Sequence, residues 1–160
     1  MERGKKYISV EEAKGKLYNY CAYQERSHLE VRRKLDSLGV YGTPAEEIIA
    51  DLITNGYLNE ERFAKAFAGG KFRIKGWGRI RIQRELESHG ITKYCIRAGM
   101  KEIEDVDYKK TLEKLLQKKR SSLTNDTPIV RRDKLARYAI GKGYESDLVW
   151  KTIDELEDQD

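Results

Sequence analysis

The chain has 160 residues, 37% of them charged and 39% hydrophobic, with a formal net charge of +5. That length and balance suit a globular protein and argue against disorder. No apolar run approaches the ~20 residues of a membrane span, and no apolar stretch near the N-terminus resembles a signal peptide. The cytoplasm is the expected compartment. Cys21 and Cys95 are the only cysteines and lie on apolar faces, as small buried hydrophobes do in a reducing environment. Only two prolines occur, and Gly, Ser and Asn fall mostly between periodic segments. This pattern predicts an all-α fold.

Residues 1–8 form a basic N-terminal arm. Ser9-Val10-Glu11-Glu12 reads as a capping box, followed by an apolar stripe of Ala13, Leu17, Tyr20 and Cys21. Ser27-His28-Leu29-Glu30 is a second capping box, with Val31 and Leu35 inward and Gly39 at the helix end. Thr43 is the expected cap of a third helix, with Pro44 at its first position and Ala45, Ile48, Ile49, Leu52 and Ile53 along one face. Gly56 closes that helix. Asn59 then caps a helix carrying Phe63, Ala64, Phe67 and Ala68. A helix from about Gly78 to His89 follows, with Ile82 and Leu86 inward. After Thr92 a further helix turns Ile96, Met100 and Ile103 inward. The last group opens near Asp107 with Leu112, Leu115 and Leu116. Thr127-Pro128 starts a helix bearing Leu135 and Ala139, and Ser146 is the expected cap of the final one.

The order repeats. From Gly90, apolar residues fall at Ile91, Ile96, Met100 and Ile103. The same offsets from Gly143 give Tyr144, Val149, Ile153 and Leu156. From Gly39, with three extra residues in the turn, they give Val40, Ile48 and Leu52, and then Asn55. A period near 50 residues predicts a tandem array of three three-helix, helix-turn-helix-like units. Their expected limits are 9–56, 57–105 and 106–160, the last with an acidic end.

Charge is unevenly placed. Residues 145–160 hold seven acids and one base, leaving +11 on residues 1–144. From Lys71 to Arg84 there are six bases (Lys71, Arg73, Lys75, Arg79, Arg81, Arg84) and no acid, with Phe72 and Trp77 placed either for the core or for stacking on bases. Arg26, Arg32, Arg33 and Lys34 make a second cluster. Arg131 and Arg132, with Lys134 and Arg137, make a third. Each cluster precedes a glycine turn, which predicts a basic ridge repeated along the array, facing a polyanion or an acidic protein surface. Base-specific recognition by the third helices is disfavoured. Glu46, Glu47 and Asp51 face outward in the first unit and Asp147, Asp154 and Glu155 in the third, and these repel phosphates.

Catalysis finds little support. His28 and His89 lack partners at metal-ligand spacing. Gly141-Lys142-Gly143 lacks the upstream glycine and the following Ser or Thr of a phosphate loop and reads as a turn. No enzymatic role, cofactor or metal is expected.

Glu25-Arg26-Ser27-His28-Leu29-Glu30-Val31, with Lys34-Leu35 and Gly39, resembles the first-unit pattern of the RecX family of bacterial regulators of the RecA recombinase. Gly56-Tyr57-Leu58-Asn59-Glu60-Glu61-Arg62-Phe63-Ala64 is similar to the most recognisable motif of that family. Trp77-Gly78-Arg79-Ile80, then Glu85-Leu86 and Gly90-Ile91, continues it in order. The resemblance covers Ser9 to Glu104 well and the third unit weakly. Two departures stand out: Asn59 replaces an acid, and Gly69-Gly70 interrupts a helix. The resemblance implies an elongated, curved array that lies in the groove of the RecA–DNA filament and inhibits ATP hydrolysis and strand exchange in recombination and repair. The expected partners are that filament and single- or double-stranded DNA, met by a monomer without a membrane. The competing expectation is a non-specific nucleic-acid-binding protein that acts without a recombinase.

Overall fold

The structure, a computed structural model, describes residues 8–159. Among these residues there are nine α-helices and no strand. They are α1 (Val10–Tyr23), α2 (His28–Ser37), α3 (Gly42–Thr54), α4 (Glu60–Lys75), α5 (Arg79–Ser88), α6 (Lys93–Met100), α7 (Asp105–Ser121), α8 (Pro128–Gly141) and α9 (Ser146–Asp158). The expected basic arm, apart from Ile8, lies outside the described residues.

Local signals place most helix starts. Ser27 and Glu30 form a complete capping box, each side chain bonded to the other's backbone N–H. Ser9 supplies only its own half, accepting from the Glu12 N–H at 3.1 Å. Asn59 accepts from the Arg62 N–H at 2.8 Å, and Thr92 and Thr127 do the same for α6 and α8.

Two caps differ from expectation. α3 begins at Gly42 with Tyr41 as its cap, not at Thr43. Pro44 fits all the same, because the N–H groups of a first helical turn have no partner within the helix. The last helix is capped at Glu145 rather than Ser146, without a side-chain bond, because the Glu145 carboxylate is engaged by Tyr108.

Gly69-Gly70 does not interrupt α4, which runs unbroken to Lys75. Each glycine costs a helix about 1 kcal/mol relative to alanine. Burial of Phe63, Ala64, Ala68 and Phe72 along the same helix outweighs that cost.

The helices build two cores. One belongs to α1–α3 and includes Leu17, Val31, Leu35, Ile48, Leu52 and Leu58. The other is continuous through α4–α9, from Phe63 and Ile82 to Leu112, Leu135, Tyr144 and Ile153. The first group meets the second through a polar joint. The Ser27 hydroxyl lies 2.9 Å from His89 Nδ1, and Arg62 bonds both the Glu25 carboxylate and, at 2.7 Å, the Gly56 carbonyl.

Between α4–α6 and α7–α9 the shared core is joined by direct backbone-to-backbone bonds. The first N–H groups of α5 have no intrahelical acceptors, and residues of the α8–α9 turn supply them. Gly78 N–H donates to the Lys142 carbonyl at 2.8 Å and Ile80 N–H to that of Gly143 at 2.9 Å. Arg79 N–H donates to the Tyr108 hydroxyl at 3.1 Å, and that hydroxyl donates in turn to Glu145 at 2.7 Å. The Tyr144 hydroxyl donates to the Gly76 carbonyl at 3.0 Å, and the Tyr108 and Tyr144 rings stack with centroids 4.9 Å apart. Burial pushes both phenols well above the usual tyrosine range, and the Glu145 carboxylate adds to the shift. So close an approach requires glycine on both sides. A Cβ on Gly78 would lie 2.2 Å from the Gly143 carbonyl carbon, and Gly143 itself sits at φ +104°. The Gly141-Lys142-Gly143 turn is therefore a docking element for α5.

Candidate partner and nucleic-acid interface

The cationic side chains divide into those used within the fold and those left outward. Arg26 is spent internally. Its Nε donates to the Tyr20 carbonyl at 2.9 Å, its guanidinium lies 3.7 Å from the Tyr20 ring centroid, and Glu30 is 3.7 Å away. Arg32 forms a two-pronged pair with Glu46, at 2.5 and 3.2 Å, which holds that carboxyl below its usual range. Arg79 reaches Asp105 at 2.6 Å and the Ile103 carbonyl at 3.3 Å, with its guanidinium 4.1 Å from the Tyr108 centroid. Arg132 pairs with Asp154 at 2.7 Å and with Glu157.

The acidic end is in this way folded in as α9. Arg132 holds two of its carboxylates, and Lys109 reaches Glu155 at 2.8 Å, lowering that carboxyl.

Arg33, Arg73, Lys75, Arg84 and Arg131 enter no ion pair among the described residues, and all but the half-buried Arg131 are exposed. Lys71 and Arg81 flank Trp77, at 5.0 and 4.0 Å from its ring. Trp77 is half-buried and packed on the core beside Phe67, while Phe72 is core. These aromatic residues support the cations rather than offering open faces. The three clusters thus contribute unequally. The α4–α5 segment brings Arg73, Lys75, Arg81 and Arg84 to the surface, with the half-buried Lys71 beside Trp77, whereas Arg26, Arg79 and Arg132 are engaged by partners within the fold and the exposed Arg32 is paired with Glu46. Lys34 is half-buried, 5.6 Å from the Tyr20 ring.

The assembled fold also creates a groove of about 880 Å³ between the end of α4 and the flank of α7. Arg73 and Lys75 line one wall, Lys110, Lys114 and Lys118 the other, and Lys119 and Lys142 the end near Tyr138. Asp107 is the single acid. The α7 lysines were not singled out from sequence, where they look like the polar side of an amphipathic helix. Their spacing of four residues puts them on one flank, but only the packing of α4 beside α7 makes that flank a wall.

Among the described residues no group of three or more His, Cys, Asp or Glu could hold a metal ion. No helix is long and apolar enough to cross a membrane.

Fold and surface together define a class: tandem three-helix units, docked turn to helix, with a basic segment at the centre. A family model described as RecX, second three-helix domain, matches residues 59–100, and one described as RecX, third three-helix domain, matches residues 107–153. The chain belongs to the RecX family. It is 27% identical over 164 residues to the regulatory protein RecX of Oceanobacillus iheyensis, across 98% of this chain and 60% of that protein. It is 24% identical over 150 residues to that of Bacillus thuringiensis, across 94% and 56%. The chain thus spans less than two thirds of the length of these relatives. The crystal structure of RecX from Lactobacillus salivarius superposes with a TM-score of 0.81 at 23% identity, over 92% of this chain and 96% of that one. A second crystal structure of a regulatory protein RecX gives 0.82 at 19% identity, over 91% and 73%. Both likenesses bear on the all-helical repeat fold.

Proposed function

We propose that this chain binds in the groove of a RecA–DNA filament and restrains its ATP turnover and strand exchange. The observation that carries the proposal is the acid-free segment from Lys71 to Arg84. It presents four exposed cations, Arg73, Lys75, Arg81 and Arg84, on a base fixed by the backbone bonds of Gly78 and Ile80 to the α8–α9 turn. A rigid cationic surface loses little order on binding, so its charge complementarity is expressed as affinity and orientation. Membership of a family whose relatives are named regulatory proteins supports the same reading. The mechanism is steric and electrostatic. The array spans neighbouring protomers and hinders the motions that accompany nucleotide hydrolysis, acting as a monomer in the cytoplasm.

The site is tested by Arg81→Glu with Arg84→Glu, which leaves Arg79 in its structural role. Binding of the double variant to preformed filaments is measured beside its far-ultraviolet circular dichroism. Unchanged helicity with at least a tenfold loss of affinity, about 1.4 kcal/mol, is expected. Wild-type affinity in the double variant contradicts the site.

A further inference from the structure

The α4–α7 groove points to a ligand of its own. Seven cations and one carboxylate line it, a net of +6 in a single concavity. Mutual repulsion makes such an arrangement unfavourable unless an anion occupies it. The fold does not neutralise it from within. Lys110, Lys114 and Lys118 are exposed, and no ion pair among the described residues draws on them, on Arg73 or on Lys75. The neighbouring Lys109, by contrast, is turned away to Glu155 at 2.8 Å. α7 therefore sorts its lysines, Lys109 toward the acidic helix α9 and Lys110, Lys114, Lys118 and Lys119 to the groove.

The lining also indicates the shape of the ligand. A rise of about 1.5 Å per residue sets the three lysines roughly 6 Å apart along α7, a linear series suited to a chain of charges rather than to one small anion. Arg73 and Lys75 line the facing wall from α4, so cations are contributed from both sides of the groove. Lys142 is anchored at the end by its bond to the Lys75 carbonyl at 3.1 Å. No aromatic face is open for base stacking. Phe72 is 6% exposed, and the Lys119 and Lys142 ammonium groups lie 5.0 and 5.8 Å from the Tyr138 ring centroid.

We infer that this groove binds the sugar-phosphate chain of a single-stranded nucleic acid, through its phosphates and without reading bases. The inference goes beyond the filament reading, because it assigns a site on α7 that works with no recombinase present.

The test is fluorescence anisotropy of a labelled oligothymidylate with the full chain, across a range of salt concentrations and without recombinase. Each phosphate contact on a single strand contributes about −0.7 to the slope of log affinity against log salt. Replacing Lys110, Lys114 and Lys118 by Gln removes three such contacts. It is expected to flatten the slope by about 2 and to weaken binding at least tenfold, while the same three positions changed to Arg retain binding. A control with the same charge loss elsewhere, Lys16→Gln, Lys65→Gln and Lys151→Gln, is expected to keep the wild-type slope. Oligouridylate is expected to compete as well as oligothymidylate, and a duplex of equal length to bind less tightly. A wild-type slope in the α7 variant, an equal loss in the control, or duplex binding as tight as single-strand binding would overturn the inference. Circular dichroism of each variant separates loss of binding from loss of fold.

Discussion

Gly78→Ala probes the dock on which the basic segment rests. Its backbone angles, φ −77° and ψ 166°, suit alanine, so the penalty is steric and local. The added Cβ would lie 2.2 Å from the Gly143 carbonyl carbon and 2.3 Å from the Tyr144 nitrogen, against 3.4 Å for the start of ordinary contact. The turn must therefore retreat by about 1.2 Å (3.4 − 2.2) or the helix must tilt. A retreat of that size stretches the 2.8 and 2.9 Å bonds from Gly78 and Ile80 to about 4 Å, beyond hydrogen-bond range. Two lost bonds at about 0.5–1.5 kcal/mol each, with the buried Gly78 N–H left unpaired at about 1–3 kcal/mol, amount to about 2–6 kcal/mol. For a chain of this length that corresponds to a fall in Tm of roughly 4–24 °C. The contrast is Gly70→Ala, where nothing lies within 4 Å of the new Cβ inside helix α4. That change should stabilise the helix by about 0.5–1 kcal/mol. Both are read by thermal melting followed by circular dichroism, with amide exchange at Gly78 and Ile80. A Gly78→Ala variant melting with the wild type, its exchange unchanged, would refute the reasoning.

Two further outcomes follow from the buried polar groups. The raised phenols of Tyr108 and Tyr144 hold their protons in the native state while those of the unfolded chain titrate near pH 10. The stability they contribute is fully present below that pH and falls as the pH rises above it. The urea midpoint should drop steadily above about pH 10, and a flat midpoint there would contradict the burial of the pair. Cys21 is 7% exposed and its thiol is pushed up by burial. Its alkylation at neutral pH should be at least ~100-fold slower in the native protein than in denaturant, since reaction requires local opening. Equal rates would place it at the surface.

Much of the fold was legible because its signals are local. Ser27 with Glu30, Asn59, Thr92 and Thr127 cap where their side chains alone dictate. The offsets from Gly90 and Gly143 located Ile91, Ile96, Tyr144, Val149 and Ile153, all of which are buried. What escaped depends on partners distant in sequence. The start of α5 is satisfied by carbonyls of Lys142 and Gly143, more than sixty residues away, and no pattern near Gly78 announces that. His89 reads as a helix-end histidine and is one, yet its ring also meets Ser27 across the joint between units. Counting arginines likewise could not separate Arg79, held by Asp105 and Tyr108, from the exposed Arg84. The cap at Glu145 in place of Ser146 has the same origin, since Tyr108 claims the carboxylate. The lysines of α7 became a candidate site only when α4 was found beside them.

Binding to preformed RecA filaments on single-stranded DNA tests the central claim most directly, measured beside naked DNA at two salt concentrations with ATP turnover recorded in the same samples. The account predicts tight filament binding with reduced turnover, and weaker, steeply salt-dependent binding to naked DNA. Equal binding to both, with turnover falling only as DNA is stripped from the filament, would contradict it.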